Sequence, residues 1–225
     1  MNKTAMRAGY WSAIIAIVAF VAYIICFIAI LIMEPVFIWT NMENYLSTVQ
    51  TSNQFFKHIA MAFMIVFGVC YVIQLCSIEE IADASRKYYA LLAELFGTGF
   101  IVLISINYFL QIGAVRLQIN AGQTNGLEQF VQGNPLSVTS AINMLGWTVF
   151  FGLSCLFVAF ALGNTRREKI IKYAFLANGW MMLVSAIAYI LDIKIILILT
   201  MYLGMGAAIL TAEIALCKLF KDLQY

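Results

Sequence analysis

The chain has 225 residues, 64% hydrophobic and only 11% charged, with a mean hydropathy of +0.93. A soluble domain carries roughly 25% charged residues, so the apolar excess is too large, and too evenly spread, for a soluble core. A net charge of +2 without a basic block excludes nucleic acid as a partner. The single histidine and the lack of any CxxC or Cys/His spacing exclude a zinc site built from several such ligands.

A helix of about 20 apolar residues crosses a bilayer, and six segments qualify: 10–33, 56–76, 89–115, 138–162, 170–191 and 195–217. The expected fold is therefore all-α, a polytopic bundle of six transmembrane helices forming one domain over 1–225. The first segment follows Lys3 and Arg7, as in a secretory signal. Its apolar run is too long, however, and Leu31-Ile32-Met33-Glu34-Pro35 offers no small-residue cleavage site, so it reads as a retained span. The outer loop 34–55, EPVFIWTNMENYL onward, mixes aromatics with acids and amides. It is long for a plain connection and is expected to hold a short amphipathic helix. After the second span, Ser77-Ile78-Glu79-Glu80 fits the S/T-x-x-E capping box and predicts a short surface helix leading into the third span. The outer loop 117–137 resembles loop 34–55 in length and character. Both read as a rim that caps the bundle or as a lid over an outward cavity. Thr165-Arg166-Arg167-Glu168 is a second capping box, before the fifth span.

Cytoplasmic loops collect Lys and Arg. With the N-terminus inside, Lys3, Arg7, Arg86, Lys87, Arg166, Arg167, Lys169, Lys172, Lys218 and Lys221 lie inside, ten of the thirteen basic residues. Only Lys57, Arg116 and Lys194 lie outside, so both termini are placed inside. TyrAlaLeuLeuAlaGlu at 89–94 echoes TyrAlaPheLeuAlaAsn at 173–178, an offset that also pairs Gly68 with Gly152. It suggests that the hairpin of spans two and three is repeated as spans four and five.

Polar groups cannot hydrogen-bond to lipid tails and turn inward. On the third span, Glu94, Thr98, Ser105, Tyr108 and Arg116 form one ridge at helical spacing, while Asn107 and Gln111 lie on another. Polarity on two faces predicts a central helix. Asn107 and Gln111 read as structural glue between helices. The Glu94–Arg116 ridge, with Asn143 and Trp147 on span four, Asn178 and Ser185 on span five and Glu213 on span six, is the candidate ligand-binding set. An intramembrane carboxylate costs roughly 2.5–3.5 kcal/mol on insertion scales, which gives Glu94 and Glu213 extra weight. Glu94 lies about 7 Å below the cytoplasmic interface at 1.5 Å per residue, and Glu213 lies at a similar depth. Gly204, Ala208 and Ala212 form a small-residue packing seam.

No phosphate loop, HExxH or G-x-S-x-G is present, and no pair of histidines exists to hold haem. No catalytic residue, metal or cofactor is assigned. The five cysteines, Cys26, Cys70, Cys76, Cys155 and Cys217, lie within apolar runs or at their ends and read as packing residues rather than a disulfide framework.

The run INYFLQIGAVRLQINAGQTNGLEQFVQGNPLSV, followed by LGW, resembles a signature in a family of uncharacterised bacterial six-span integral membrane proteins. It rests on Asn107, Tyr108, Gln111, Arg116, Gly122, Gly126, Leu127, Phe130, Asn134, Pro135 and Val138, with Leu117 where the pattern has proline. The resemblance implies a bacterial inner-membrane location and no activity. The expected function is to bind or pass a small or lipidic ligand in a polar cavity between spans three, four and five. The alternatives are an intramembrane enzyme acting on a lipid or isoprenoid, with Tyr108 or Arg116 beside an acid, and an accessory subunit of a larger membrane complex or a homo-oligomer. The lipid bilayer is an expected partner, with a small hydrophobic ligand or lipid beside it.

Overall fold

The computed structural model describes residues 2–34 and 37–224, with side chains described at all of these except 202–204. Six long apolar helices form a bundle: α1 (Lys3–Met33), α3 (Phe55–Ile81), α4 (Lys87–Asn120), α5 (Val138–Ala161), α6 (Arg166–Ile190) and α7 (Lys194–Leu223). A shorter helix, α2 (Met42–Thr51), lies between α1 and α3. Their length and apolarity make this a multi-pass membrane protein.

The spans pack in chain order into a closed ring, α1 against α3, then α4, α5, α6 and α7, with α7 returning to α1. Small residues set the first contact. Gly9, Ser12, Ala13, Ala16 and Ala19 form the buried stripe of α1, at the three- and four-residue spacing that shares a helix face. A Cβ on Gly9 would come within 2.8 Å of Ser77 on α3, so the two helices cross there almost backbone to backbone. The hairpins paired by the 84-residue offset are each crossed at a glycine. Gly68 faces Ile101, and Gly152 faces Met182 and Gly179.

The centre of the ring is filled. Phe67 and Tyr71 from α3, Phe100 from α4, Phe151 from α5 and Phe175 from α6 are all fully buried. Ring centroids lie 4.6 Å apart for Phe100–Phe151, 4.8 Å for Phe100–Trp147 and 5.2 Å for Tyr71–Phe151. The most buried span is α5, followed by α3. The expectation of a central third span is therefore corrected. One face of α4, through Ala93, Gly97, Phe100, Ile104, Asn107 and Gln111, meets the core. Thr98, on the other face, is exposed.

One end of the bundle carries the termini and the basic loops. Gln224 Nε2 donates to Met6 O at 3.5 Å, and Arg86 Nη1 to Leu162 O at 2.6 Å. Arg167 pairs with Asp222. The Thr165 box forms as expected: Glu168 N–H donates to Thr165 Oγ1 at 3.3 Å and Thr165 N–H to Glu168 Oε2 at 2.9 Å. The Ser77 box does not form, and the surface helix predicted from it is corrected. Helix α3 runs unbroken through Ser77 to Ile81, and only a turn separates it from α4. The Ser77 hydroxyl bonds back to Ile73 O and across to Ala5 O, each at 2.9 Å. A serine inside a helix makes such a bond instead of capping.

Three of the spans contain a π-helical turn: Gln111–Val115 in α4, Leu145–Phe150 in α5 and Leu199–Gly204 in α7. A π turn closes hydrogen bonds at i→i+5, so it is wider than an α turn and rotates everything beyond it. The third span continues through its π turn to Asn120, past the expected end at 115.

Candidate functional site

The expected ligand set does not converge on a cavity between spans three, four and five. Near the terminal end, Glu94 is half-buried and accepts from the Cys76 thiol at 3.3 Å. Ser105 is half-buried. Tyr108 Oη accepts from Trp147 Nε1 at 2.9 Å in the buried interface of α4 and α5. Asn143 Oδ1 accepts from Asn107 Nδ2 at 3.0 Å. Asn178 Nδ2 donates to Cys155 Sγ at 3.1 Å. Ser185 meets Thr200 at 2.5 Å between α6 and α7. Glu213 is buried against Gln74 of α3. The bonds of Glu94, Tyr108, Asn143, Asn178 and Ser185 join neighbouring spans, whereas Glu213 reaches α3, which is not beside α7 in the ring. The two intramembrane carboxylates are not partners. Cys76 and Gln74, which they meet on α3, are two residues apart and so face opposite ways at about 100° per residue.

Ser154 belongs to the same class. Its hydroxyl donates to Ala93 O at 2.7 Å. With that proton committed, Tyr71 Oη is the donor in the 2.9 Å contact between the two.

The cavity lies at the opposite end, beneath the two outer loops. Those loops build a small core of their own. Val115, Leu127 and Val131 are buried together with Trp39, Met42, Tyr45 and Ile119 packed around them. Asn41 caps α2 by accepting from Asn44 N–H at 2.8 Å. Gly122 and Gly126 take positive φ values of 69° and 74°, which reverse the chain after α4. Gln111 then ties the loop down. Its Nε2 donates to Phe130 O at 2.7 Å, and its Oε1 accepts from Gln132 N–H at 3.0 Å. Gly133 allows a close approach, since a Cβ there would sit 3.3 Å from the Tyr45 ring.

The cavity is about 470 Å³, within the range of small-molecule sites, about 300–1,000 Å³. Phe37, Tyr45, Met61, Val115 and Ile119 give it an apolar side. Gln54, Lys57, His58, Gln111, Arg116, Asn120 and Gln132 give it a polar one. Lys57 Nζ pairs with Glu34 at 3.1 Å. Arg116 Nε donates to Ile112 O at 2.8 Å, and among the described residues no carboxylate pairs with its guanidinium. Arg116 and Lys57 both act electrostatically on His58. Gln132 Oε1 is shut off from solvent without a donor. Burial raises the Tyr45 pKa above its ordinary value, so the phenol remains a hydrogen-bond donor throughout the physiological range.

Of the expected ligand set, Arg116 alone lines this cavity, together with the expected glue residue Gln111. Tyr45, Lys57, His58 and Gln132 were not anticipated. One signal in the sequence pointed to Lys57 and His58. The outer segments hold only three Lys or Arg residues, and two of them, with the only histidine of the chain, converge here. The space can take a molecule with a negative group and an apolar body. The chain matches no protein-family model, no characterised protein and no solved structure.

Proposed function

We propose that the protein is a binding protein of the bacterial inner membrane, which receives an anionic, partly apolar molecule at the outer end of its bundle. The observation that carries this reading is the meeting of Lys57, His58 and Arg116 with Phe37, Tyr45 and Met61 around one 470 Å³ space. A carboxylate or phosphate is the group that such a set recognises, because an arginine fork pairs with either in a bidentate manner. The apolar wall suits an acyl or comparable body. The location follows from the resemblance described above.

The filled aromatic centre favours binding over conduction through the middle of the ring. The enzymatic alternative lacks its residues, since Tyr108, Arg116 and Glu94 are dispersed over the interior, the outer cavity and the opposite end. For the accessory-subunit alternative, Ala212 is fully buried in its own chain and Ala208 is half-buried, while the burial of Gly204 falls outside the described residues.

The test uses the full chain in zwitterionic nanodiscs, with laurate as probe and dodecanol as its uncharged counterpart. Laurate is expected to raise the thermal midpoint and dodecanol to leave it near its starting value. Arg116→Gln should weaken laurate binding by about 10- to 150-fold, the worth of a charge-assisted hydrogen bond of about 1.5–3 kcal/mol. Equal responses to the two probes would refute anion recognition.

A further inference from the structure

A second polar site lies inside the apolar core, toward the terminal end of the bundle. Gln74 on α3 and Glu213 on α7 are both fully buried. Gln74 Nε2 donates to Glu213 Oε2 at 2.8 Å. The second oxygen of each group, Gln74 Oε1 and Glu213 Oε1, is sealed from solvent and has no donor. The pair therefore makes one hydrogen bond and leaves two acceptors empty.

The surroundings supply no counter-charge. Among the described residues, no lysine, arginine or histidine forms an ion pair with Glu213. The ionisable groups within reach of its charge are Cys70 and Tyr71 of α3, Cys155 of α5 and Cys217 of its own helix, and none of these is a cation. No charged side chain of α1 or α6, which also pack on α7, acts on it. A bare carboxylate in such a place is strongly disfavoured. A proton on Oε1 removes the charge and turns an empty acceptor into a donor. Gln74 Oε1 is then the acceptor it lacks, because planar carboxylic acid and carboxamide groups can close a ring of two hydrogen bonds.

We propose that Glu213 and Gln74 form an intramembrane proton-binding site, in which Glu213 holds a proton on Oε1 and donates it to Gln74 Oε1. The site joins the last span to the second. Lys218 stands five residues beyond Glu213 on α7, about 7 Å along the axis at 1.5 Å per residue, so the proton exchanges with the side that carries the termini. Loss of the proton breaks the acid-to-amide bond and leaves a bare charge where α7 reaches across to α3. The packing of the last span is thereby linked to proton occupancy.

Infrared difference spectroscopy of the full chain in lipid tests this directly. At neutral pH the wild type should show the carbonyl stretch of a protonated carboxylic acid, shifted in D2O. The band should vanish in Glu213→Gln and persist in Glu94→Gln. Glu213→Gln should keep its thermal midpoint, since an amide pair can also close two bonds. If that variant fails to fold, Gln74→Leu serves instead, and there the band should move to the position of an acid without a strong acceptor. Absence of the band in the wild type would overturn the proposal. So would a carboxylate band that responds to added Na⁺, which would assign the two empty oxygens to a metal cation.

Discussion

Replacing Gln111 by leucine removes the pin of the outer roof while leaving an apolar side chain of similar bulk. Two bonds are lost, to Phe130 O at 2.7 Å and from Gln132 N–H at 3.0 Å. If the roof stayed shut, both backbone groups would lack partners in a buried place, at about 1–3 kcal/mol each. Opening lets them hydrate and limits the loss to the net worth of two hydrogen bonds, about 1–3 kcal/mol in total. The roof should therefore open rather than the bundle unfold. The corresponding rise in the open population is about 5- to 150-fold. Hydrogen–deuterium exchange measures it, amide by amide. Residues 127–134 should exchange faster by that factor, and the amides of α3 and α5 should be unchanged. The open roof should also weaken laurate binding, although Arg116 is intact. Unaltered exchange at 127–134, or acceleration spread evenly over all spans, would refute the account of Gln111 as a local tie.

Three further outcomes are expected. Gly9→Val drives a branched side chain into Ser77, which would stand 2.8 Å from its Cβ. The overpacking should cost about 1–3 kcal/mol, more than the few tenths gained in helix propensity, and should appear as a lower thermal midpoint in detergent. Tyr108→Phe removes the acceptor of Trp147 Nε1 and should cost about 1–3 kcal/mol for the buried donor left behind, with a shifted tryptophan emission. Tyr45 has its pKa raised by burial, so the folded roof holds the phenol proton more tightly than the unfolded chain does. Its contribution is complete below the ordinary tyrosine value of about 10 and is lost as pH rises from there through the folded value. Roof exchange should therefore accelerate at alkaline pH in the wild type beyond the ordinary base dependence of amide exchange, and this excess should be absent in Tyr45→Phe.

Hydropathy located the spans to within a few residues at most ends, because a bilayer demands unbroken apolar helix and little else resembles it. Individual polar side chains were read less well, and the reasons are local. Ser77 and Thr165 begin the same four-residue motif. It caps a helix only at Thr165, where the chain has already left α5 at the extended Leu162. Ser77 sits within an apolar run that carries the helix onward. The ridge from Glu94 to Arg116 assumed a uniform α-helix. The π turn at Gln111–Val115 rotates Arg116 away from the face of Tyr108 and into the cavity. No residue pattern in QIGAV announces such a turn. Asn107 and Gln111 were legible as glue, and each makes an inter-element hydrogen bond, one to a span and one to the roof. Tyr45 and Gln132 were hidden because loop residues meet only after both outer loops have folded against each other. Gln74 was hidden because it looks like any amide in a membrane helix until Glu213 is placed beside it.

The central claim is that the outer cavity is where an anionic amphiphile binds. It is tested most directly by photolabelling the full chain in nanodiscs with a fatty acid carrying a diazirine close to its carboxylate. The account predicts crosslinks to peptides 37–61 and 111–133, competed by laurate and greatly reduced in Arg116→Gln. Labelling confined to lipid-facing residues of α6 and α7, unchanged by laurate or by the Arg116 substitution, would contradict it.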